Sequence, residues 1–324
     1  MSQRHLASQC RADAGGDPSP GATARGASAA TGGGSGGGGG GGSVGRRRNG
    51  IYRITDTNRD DKWDKVTVVR NVLGSGQHGT HTLKLSPDKQ KIFLINGDDT
   101  PLTTIQSSRV PLLWGEDNLV LRIPTAFNDY QLAPQGWVAD FDPEGKNFEL
   151  YAIGMRNPVD QAFNKDGELF VYDADMEFDW GTPWYRPTWI GHMISGADFG
   201  FRNGSRKHPQ WQFDFTPVVA DVGAGSPVGF GAGTGMKAPA RYQGAVYLGD
   251  WSYGYLHAAF LTPKGSSYDG DVQTFISGRP FPVTGVTINP VDGSMIVMTG
   301  GRAQTQIYRI TYTGSESTAR VGAD

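Results

Sequence analysis

Two histidines, His78 and His81, lie close together in the segment Gly76-Gln-His-Gly-Thr-His81. Histidine is the side chain whose unperturbed pKa suits proton transfer near neutral pH, and it is also a common metal ligand. On a strand, an offset of three residues turns the two rings to opposite faces, which disfavours a site where both bind one metal ion. The segment therefore predicts either a general base or a turn histidine bonded to the backbone.

An acid and an arginine follow further along the chain. Asp98, in Asn96-Gly-Asp-Asp99, could orient an imidazole and stabilise its charged form, or be a solvated acid in an Asn-Gly turn. Arg156 and Asn157 precede Pro158, which holds the backbone before it extended. A rigid arginine at the entrance to a strand suits a carboxylate, an oxyanion or a quinone oxygen. A salt bridge between sheets is the alternative.

Carboxylates alternate along the segment Asp173-Ala-Asp-Met-Glu-Phe-Asp179. On an extended chain they share one face, where their repulsion calls for a cation or an arginine. We predict a calcium site at Asp173, Asp175 and Glu177; the alternative is a loop that exposes some of its acids to solvent. A second acidic stretch, residues 56–64, lacks the glycine and the glutamate of a calcium loop, and we predict a polar hairpin turn there.

Large aromatic side chains are concentrated in residues 180–189. Aromatic faces suit the C–H faces of sugars and planar cofactors, so Trp180, Trp184 and Tyr185 are candidate substrate contacts. The alternative is that these rings fill the gap between neighbouring sheets.

The elements that must position these residues are short strands. Helical periodicity is nearly absent, and one module recurs: an apolar run, a polar turn and a second apolar run. Repeated hairpins of this kind predict an all-β fold with the blades of a β-propeller, whereas the rival β-sandwich would not repeat one hairpin. The copies lie at residues 83–95, 161–172, 227–248 and 286–297, and further short strands are predicted around them, including residues 198–201.

Composition divides the 324 residues into three parts. Residues 1–45 are rich in glycine and small polar residues and offer little apolar surface, so we predict a disordered tail. Residues 46–312 form the propeller domain, and residues 313–324 a flexible C-terminus. The strand at Gly50 has no hairpin before it, so we expect the chain to begin partway through a blade, with exposed strand edges that could prevent it from folding alone.

Charge and cysteine content exclude several classes of function. The net charge of −2 favours neither nucleic acid nor an anionic membrane surface, and the single cysteine, Cys10, allows no disulfide within the chain. The N-terminus has no apolar run of signal-peptide length, and no stretch of 18 apolar residues occurs elsewhere, so no membrane span is expected.

The segment Gly154-Met-Arg-Asn-Pro158, followed by the Asn-Lys-Asp-Gly hairpin, resembles the motif of soluble dehydrogenases for glucose and sorbosone that use pyrroloquinoline quinone (PQQ). The likeness covers residues 50–312 and implies a six-bladed β-propeller. Tyr172-Asp-Ala-Asp-Met-Glu177 and Gly249-Asp-Trp251 are more similar to large exported proteins described as membrane-bound dehydrogenase-like. That likeness implies a periplasmic or extracellular location and a c-type cytochrome as electron acceptor.

The resemblance also implies roles for individual residues. His78 matches the general base, Asp98 the acid that supports it, and Arg156 with Asn157 the pair that faces quinone and substrate. The implied reaction removes a hydroxyl proton from a sugar or polyol and transfers hydride to PQQ, with Ca²⁺ beside it.

The missing cofactor-binding cations, together with the aromatic loop at residues 180–189, favour a second hypothesis. Residues 250–254 and 280–285 lack the cations that hold the carboxylates of PQQ, and the acidic stretch from Asp173 replaces the usual calcium loop. The competing hypothesis is a non-catalytic propeller module that binds glycans or partner proteins.

Overall fold

The computed structural model describes residues 10–14, 50–74, 78–114, 133–174, 186–202, 215–301 and 305–322. In these ranges the regular structure is strand, apart from one short helix, α1 (Ala240–Gln243). The strands are β1 (Cys10–Ala14), β2 (Gly50–Thr55), β3 (Lys65–Asn71), β4 (Thr80–Leu85), β5 (Ile92–Asn96), β6 (Ser107–Ser108), β7 (Gly136–Phe141), β8 (Glu149–Met155), β9 (Asp160–Phe163), β10 (Leu169–Asp173), β11 (Thr188–His192), β12 (Ala220–Gly223), β13 (Pro227–Ala232), β14 (Val246–Asp250), β15 (Tyr255–Lys264), β16 (Ser267–Ser277), β17 (Val283–Ile288), β18 (Met295–Thr299) and β19 (Gln306–Tyr312).

Four sheets repeat one antiparallel pattern of four strands. We call them the β4–β8 blade, the β9–β12 blade, the β13–β16 blade and the β17–β19 blade. In the first, the short β6 pairs in parallel with the outer edge of β8; in the last, β1 supplies the outermost strand. A two-stranded hairpin, β2 with β3, precedes them.

The blades stack face to face, so their middle strands are buried on both sides. Strand β10 is an example, because every residue from Leu169 to Asp173 is buried. One apolar cluster joins Phe93 and Val138 of the β4–β8 blade to Val171 and Trp189 of the β9–β12 blade. Continuous apolar runs in these strands follow from that two-sided packing.

The first strands of the blades, β4, β9, β13 and β17, contact one another in chain order. Residues near their C-terminal ends line a cavity of about 300 Å³. Blades arranged around such an axis form a β-propeller, which confirms the predicted fold class; the predicted hairpins are confirmed as β4–β5, β9–β10, β13–β14 and β17–β18. No helix among the described residues is long and apolar enough to cross a membrane.

Three segments differ from the sequence predictions. Cys10–Ala14, within the predicted tail, pairs with β19, while the rest of residues 1–45 lies outside the described ranges. The predicted strand at residues 198–201 forms only one bridge, between Asp198 and Ile153, because Asp198 turns the chain by accepting the N–H of Gly200. The C-terminal segment is anchored, since the Gln243 amide binds the backbone at residues 319 and 321.

The acidic stretch at residues 56–64 is the turn that joins β2 to β3, as predicted. Asp56 accepts backbone N–H groups from Arg59 and Asp61, and Asp64 accepts from Thr57. These carboxylates therefore stabilise the turn. The β3 strand also leaves Val66 and Val68 exposed, at 66% and 53%.

Candidate active site

The predicted catalytic residues meet at one end of the propeller. His78 precedes β4, and Arg156 and Asn157 precede β9, so all three lie at the N-terminal ends of first strands. Asp98 follows β5, which runs antiparallel to β4 and ends at the same face. The topology thus brings together residues that are far apart in the sequence.

His78 and Asp98 form a buried pair. The His78 Nδ1 atom lies 2.6 Å from Asp98 Oδ1. Both residues are almost fully buried, with 6% and 3% of their surfaces exposed. Where Asp98 is ionised its carboxylate only accepts, so Nδ1 donates and a neutral ring keeps its lone pair on Nε2. This is the tautomer that a general base needs.

A second acid, Asp99, fixes the backbone around His78. The His78 N–H donates to Asp99 Oδ2 at 3.1 Å, and the Asp99 N–H donates to the His78 carbonyl at 2.9 Å. Burial raises the pKa of Asp99 above its ordinary value, and the charge of Asp98 acts in the same direction. The backbone bond from His78 and the charge of Arg156 oppose this shift.

Asp173 anchors the segment that carries Arg156. Its two carboxylate oxygens accept the backbone N–H groups of Arg156 and Asn157, at 2.9 and 2.8 Å. The Asp98 N–H in turn donates to the Arg156 carbonyl at 2.8 Å, so the β4–β8 and β9–β12 blades are joined at the site. Arg156 is 6% exposed.

The predicted calcium site is only partly visible. Asp173 is fully buried and already accepts two amides, while Asp175, Glu177 and Asp179 lie outside the described residues. Among the residues described, no group of three acidic, histidine or cysteine side chains could hold a metal ion. The calcium site stays a prediction.

His81 contacts Asn157. Its Nε2 lies 2.7 Å from Asn157 Oδ1, across the boundary between two blades. Burial lowers the pKa of His81 below its ordinary value; the hydrogen bond with Asn157 opposes that shift, and the charge of His78 adds to it. The sequence singled out both residues but did not predict their contact.

The candidate aromatic contacts Trp180, Trp184 and Tyr185 lie outside the described residues. Trp189, from the same segment, is buried and stacks on Phe199 with 4.8 Å between ring centroids, so it belongs to the core.

A pocket missed by the sequence reasoning opens at the same end of the propeller. It has a volume of about 640 Å³, and its walls include Trp251, Tyr253 and Phe281 with the exposed Arg279. The available signal was the run Asp250-Trp-Ser-Tyr-Gly254, which follows a strand end equivalent to that at Asp173.

Solved structures with this fold include several sugar dehydrogenases. A glucose dehydrogenase-type oxidoreductase from Thermus thermophilus aligns with a TM-score of 0.57 and 17% identity, over 81% of this chain and 74% of that one. The PQQ-bound aldose sugar dehydrogenase of Streptomyces coelicolor aligns with a TM-score of 0.56 and 15% identity, over 82% and 72%.

A third neighbour is the PQQ domain of a pyranose dehydrogenase from Coprinopsis cinerea, with a TM-score of 0.52 and 9% identity, over 81% of this chain and 76% of that one. No family model and no curated protein sequence matches the chain. At these identities the likeness concerns the fold. The chain therefore has the β-propeller fold of these three structures.

Proposed function

We propose that this protein is a dehydrogenase that oxidises a hydroxyl group of a sugar or polyol, with His78 as the general base. The observation that carries the proposal is the 2.6 Å contact between His78 Nδ1 and Asp98 Oδ1, buried beside Arg156 at the end of the propeller. A buried acid that fixes the tautomer of an imidazole is the arrangement by which enzymes prepare a base.

His78 would take the hydroxyl proton on Nε2, leaving a positive charge on the ring. Asp98 stabilises that imidazolium and prevents the ring from rotating. Two hydrogen bonds hold the backbone of His78 in place: its N–H donates to the Asp99 carboxylate, and its carbonyl accepts the Asp99 N–H. Arg156 supplies positive charge for a substrate or cofactor oxygen.

The donors at the site fit the quinone end of PQQ, because Arg156 and the Asn157 amide both donate hydrogen bonds to oxygen. When bound, PQQ would supply the chemistry of accepting the hydride. Arg279, exposed beside Pro280 at the same end, is a candidate partner for a cofactor carboxylate. The described residues offer no comparable set for Ca²⁺.

A dehydrogenase of this type needs an electron acceptor, and we propose a c-type cytochrome in a periplasmic or extracellular compartment. The support is the resemblance of residues 172–177 and 249–251 to the exported dehydrogenase-like proteins.

The test is reconstitution of the full chain with PQQ and Ca²⁺, followed by dye reduction with a panel of sugars and polyols. We expect turnover that His78→Ala lowers by about 10²–10⁴-fold, the usual contribution of a general base. His257→Ala, which alters a histidine on β15 in another blade, is the matched control and should retain activity. Turnover that His78→Ala leaves unchanged would overturn the assignment.

The 640 Å³ pocket supports a second candidate function, a module that binds carbohydrate without catalysis. Its aromatic walls suit the C–H faces of a sugar, and Arg279 suits an acidic substituent. In that case Trp251→Ala would abolish binding on a glycan array while His78→Ala would leave it intact. Loss of binding in the His78 variant would assign the sugar to the catalytic site instead.

A further inference from the structure

Asn157 is held through both its backbone and its side chain. Asp173 Oδ1 accepts the backbone N–H at 2.8 Å, and His81 Nε2 lies 2.7 Å from the side-chain oxygen. Gly97 closes the same side, because a Cβ atom at that position would lie 2.6 Å from Asn157 Oδ1. The amide oxygen is therefore enclosed, while Asn157 itself is only half-buried.

The ring nitrogen of His81 that carries hydrogen decides which atom of the Asn157 side-chain amide faces the ring. With the hydrogen on Nε2, the ring donates to Oδ1 and the Nδ2 hydrogens turn away from it. With the hydrogen on Nδ1, Nε2 accepts, and the amide would turn over to present its oxygen to a ligand. Because Oδ1 is the amide atom that lies 2.7 Å from Nε2, the hydrogen belongs on Nε2, and the ring then holds the Asn157 amide in that orientation.

We propose that His81 is a positioning residue that fixes the Asn157 amide with Nδ2 toward the ligand, so that the site takes its ligand through an acceptor oxygen of a carbonyl or carboxylate. The ligand part of this inference rests on the proposed function. The side chain of the neighbouring Arg156 has only hydrogen-bond donors. Together with Nδ2 of Asn157, it would select an acceptor oxygen on the ligand. Burial keeps His81 neutral at pH 7 by lowering its pKa.

The first experiment reads the tautomer directly. Long-range ¹H–¹⁵N spectra of the ¹⁵N-labelled full chain report which ring nitrogen of each of its 6 histidines carries hydrogen, and His81→Gln assigns the His81 signals. We expect hydrogen on Nε2. Hydrogen on Nδ1 at neutral pH would overturn the proposal, whether or not the protein has any activity.

The second experiment measures binding of PQQ in the presence of Ca²⁺. His81→Gln keeps an N–H donor where Nε2 lies and should bind within about threefold of the parent, whereas His81→Leu should bind about tenfold more weakly, the loss of one hydrogen bond. Asn157→Asp replaces the donor by a carboxylate oxygen and should bind more weakly still. Thermal unfolding checks that each variant is folded.

Equal binding by His81→Leu and the parent would overturn the positioning role. If the parent itself binds no PQQ, the proposed cofactor fails, and the tautomer alone decides the inference about His81.

Discussion

The β4–β8 and β9–β12 blades place carboxylates at the same point, the end of the second strand, and use them differently. In the β9–β12 blade, Asp173 uses both oxygens to accept the backbone N–H groups of Arg156 and Asn157. In the β4–β8 blade, Asp98 binds the imidazole of His78, and the next residue, Asp99, takes the backbone N–H. In the β4–β8 blade, two adjacent acids thus contact an imidazole and a backbone N–H, whereas in the neighbouring blade one acid accepts two backbone N–H groups.

The β13–β16 blade shows that anchoring is the commoner use. Asp250, at the end of β14, accepts the N–H groups of Ser226, Ser252 and Tyr253. In both the β9–β12 and β13–β16 blades, the carboxylate at the end of the second strand therefore holds the loop that leads into the blade. In the β4–β8 blade Asp99 accepts the backbone N–H of His78, while Asp98 contacts the His78 imidazole.

The sharpest test of this difference is Asp98→Asn. We expect dye-reduction activity to fall by about 10²–10⁴-fold, because an amide does not stabilise the imidazolium or fix its tautomer as a carboxylate does. The free energy of chemical unfolding should change by less than about 1 kcal/mol, since the backbone bonds belong to Asp99. A loss of stability as large as that expected for Asp173→Ala would show that Asp98 also anchors its loop.

Asp173→Ala should instead lower the stability of the protein. Removing the carboxylate takes the acceptor from the buried N–H of Arg156 and from the half-buried N–H of Asn157, which costs about 3 kcal/mol of unfolding free energy. The measurement is urea unfolding followed by tryptophan fluorescence. Asp250→Ala is the matched control, and it should lose a similar amount because it anchors its loop in the same way. Little or no loss in the Asp173 variant would show that the anchoring role is wrong.

Gly97→Ala tests how closely the two blades must approach. A Cβ atom there would lie 2.6 Å from both Asn157 Oδ1 and the His78 carbonyl oxygen, so the site loops must separate. We expect a loss of about 1–3 kcal/mol in urea unfolding, typical of overpacking. Gly244→Ala, whose nearest neighbour would be 3.8 Å away, should be close to neutral. Equal behaviour of the two variants would contradict the close approach.

The smallest effect concerns pH. The pKa of His81 is lowered from 6.5, so the unfolded chain binds a proton more readily than the folded one, and stability should fall as pH drops below about 6.5. His81→Gln should flatten the curve of stability against pH between about 5 and 7. The pKa of His257 is also lowered by burial, so His257→Gln should remove a separate part of the dependence of stability on pH. An unchanged slope in both variants would contradict the burial effect.

Hairpins were predictable because each consists of neighbouring residues with strong strand and turn preferences, as in Leu169–Asp173. The resemblance then matched His78 and Asp98 to a base and its acid, and the structure places them in contact.

The division of labour between Asp98 and Asp99 could not be predicted, since it depends on how the turn directs two consecutive side chains. Likewise, the His81–Asn157 contact joins residues 76 positions apart on different blades, and no local pattern reports it. The strand β1 was missed because its pairing uses backbone atoms, which alanine and arginine supply as well as valine does.

The pairing of β1 with β19 also has a consequence for synthesis of the chain. Cys10 pairs with Tyr312, about 300 positions away, so the last sheet gains its outer strand only when residues near the C-terminus have left the ribosome. The β4–β8 blade, with five strands, and the β9–β12 and β13–β16 blades, with four each, are made of consecutive strands and can form as they emerge. Completion of the β17–β19 blade is thus expected to be a late, slow event, because β1 and β19 lie about 300 positions apart in the sequence.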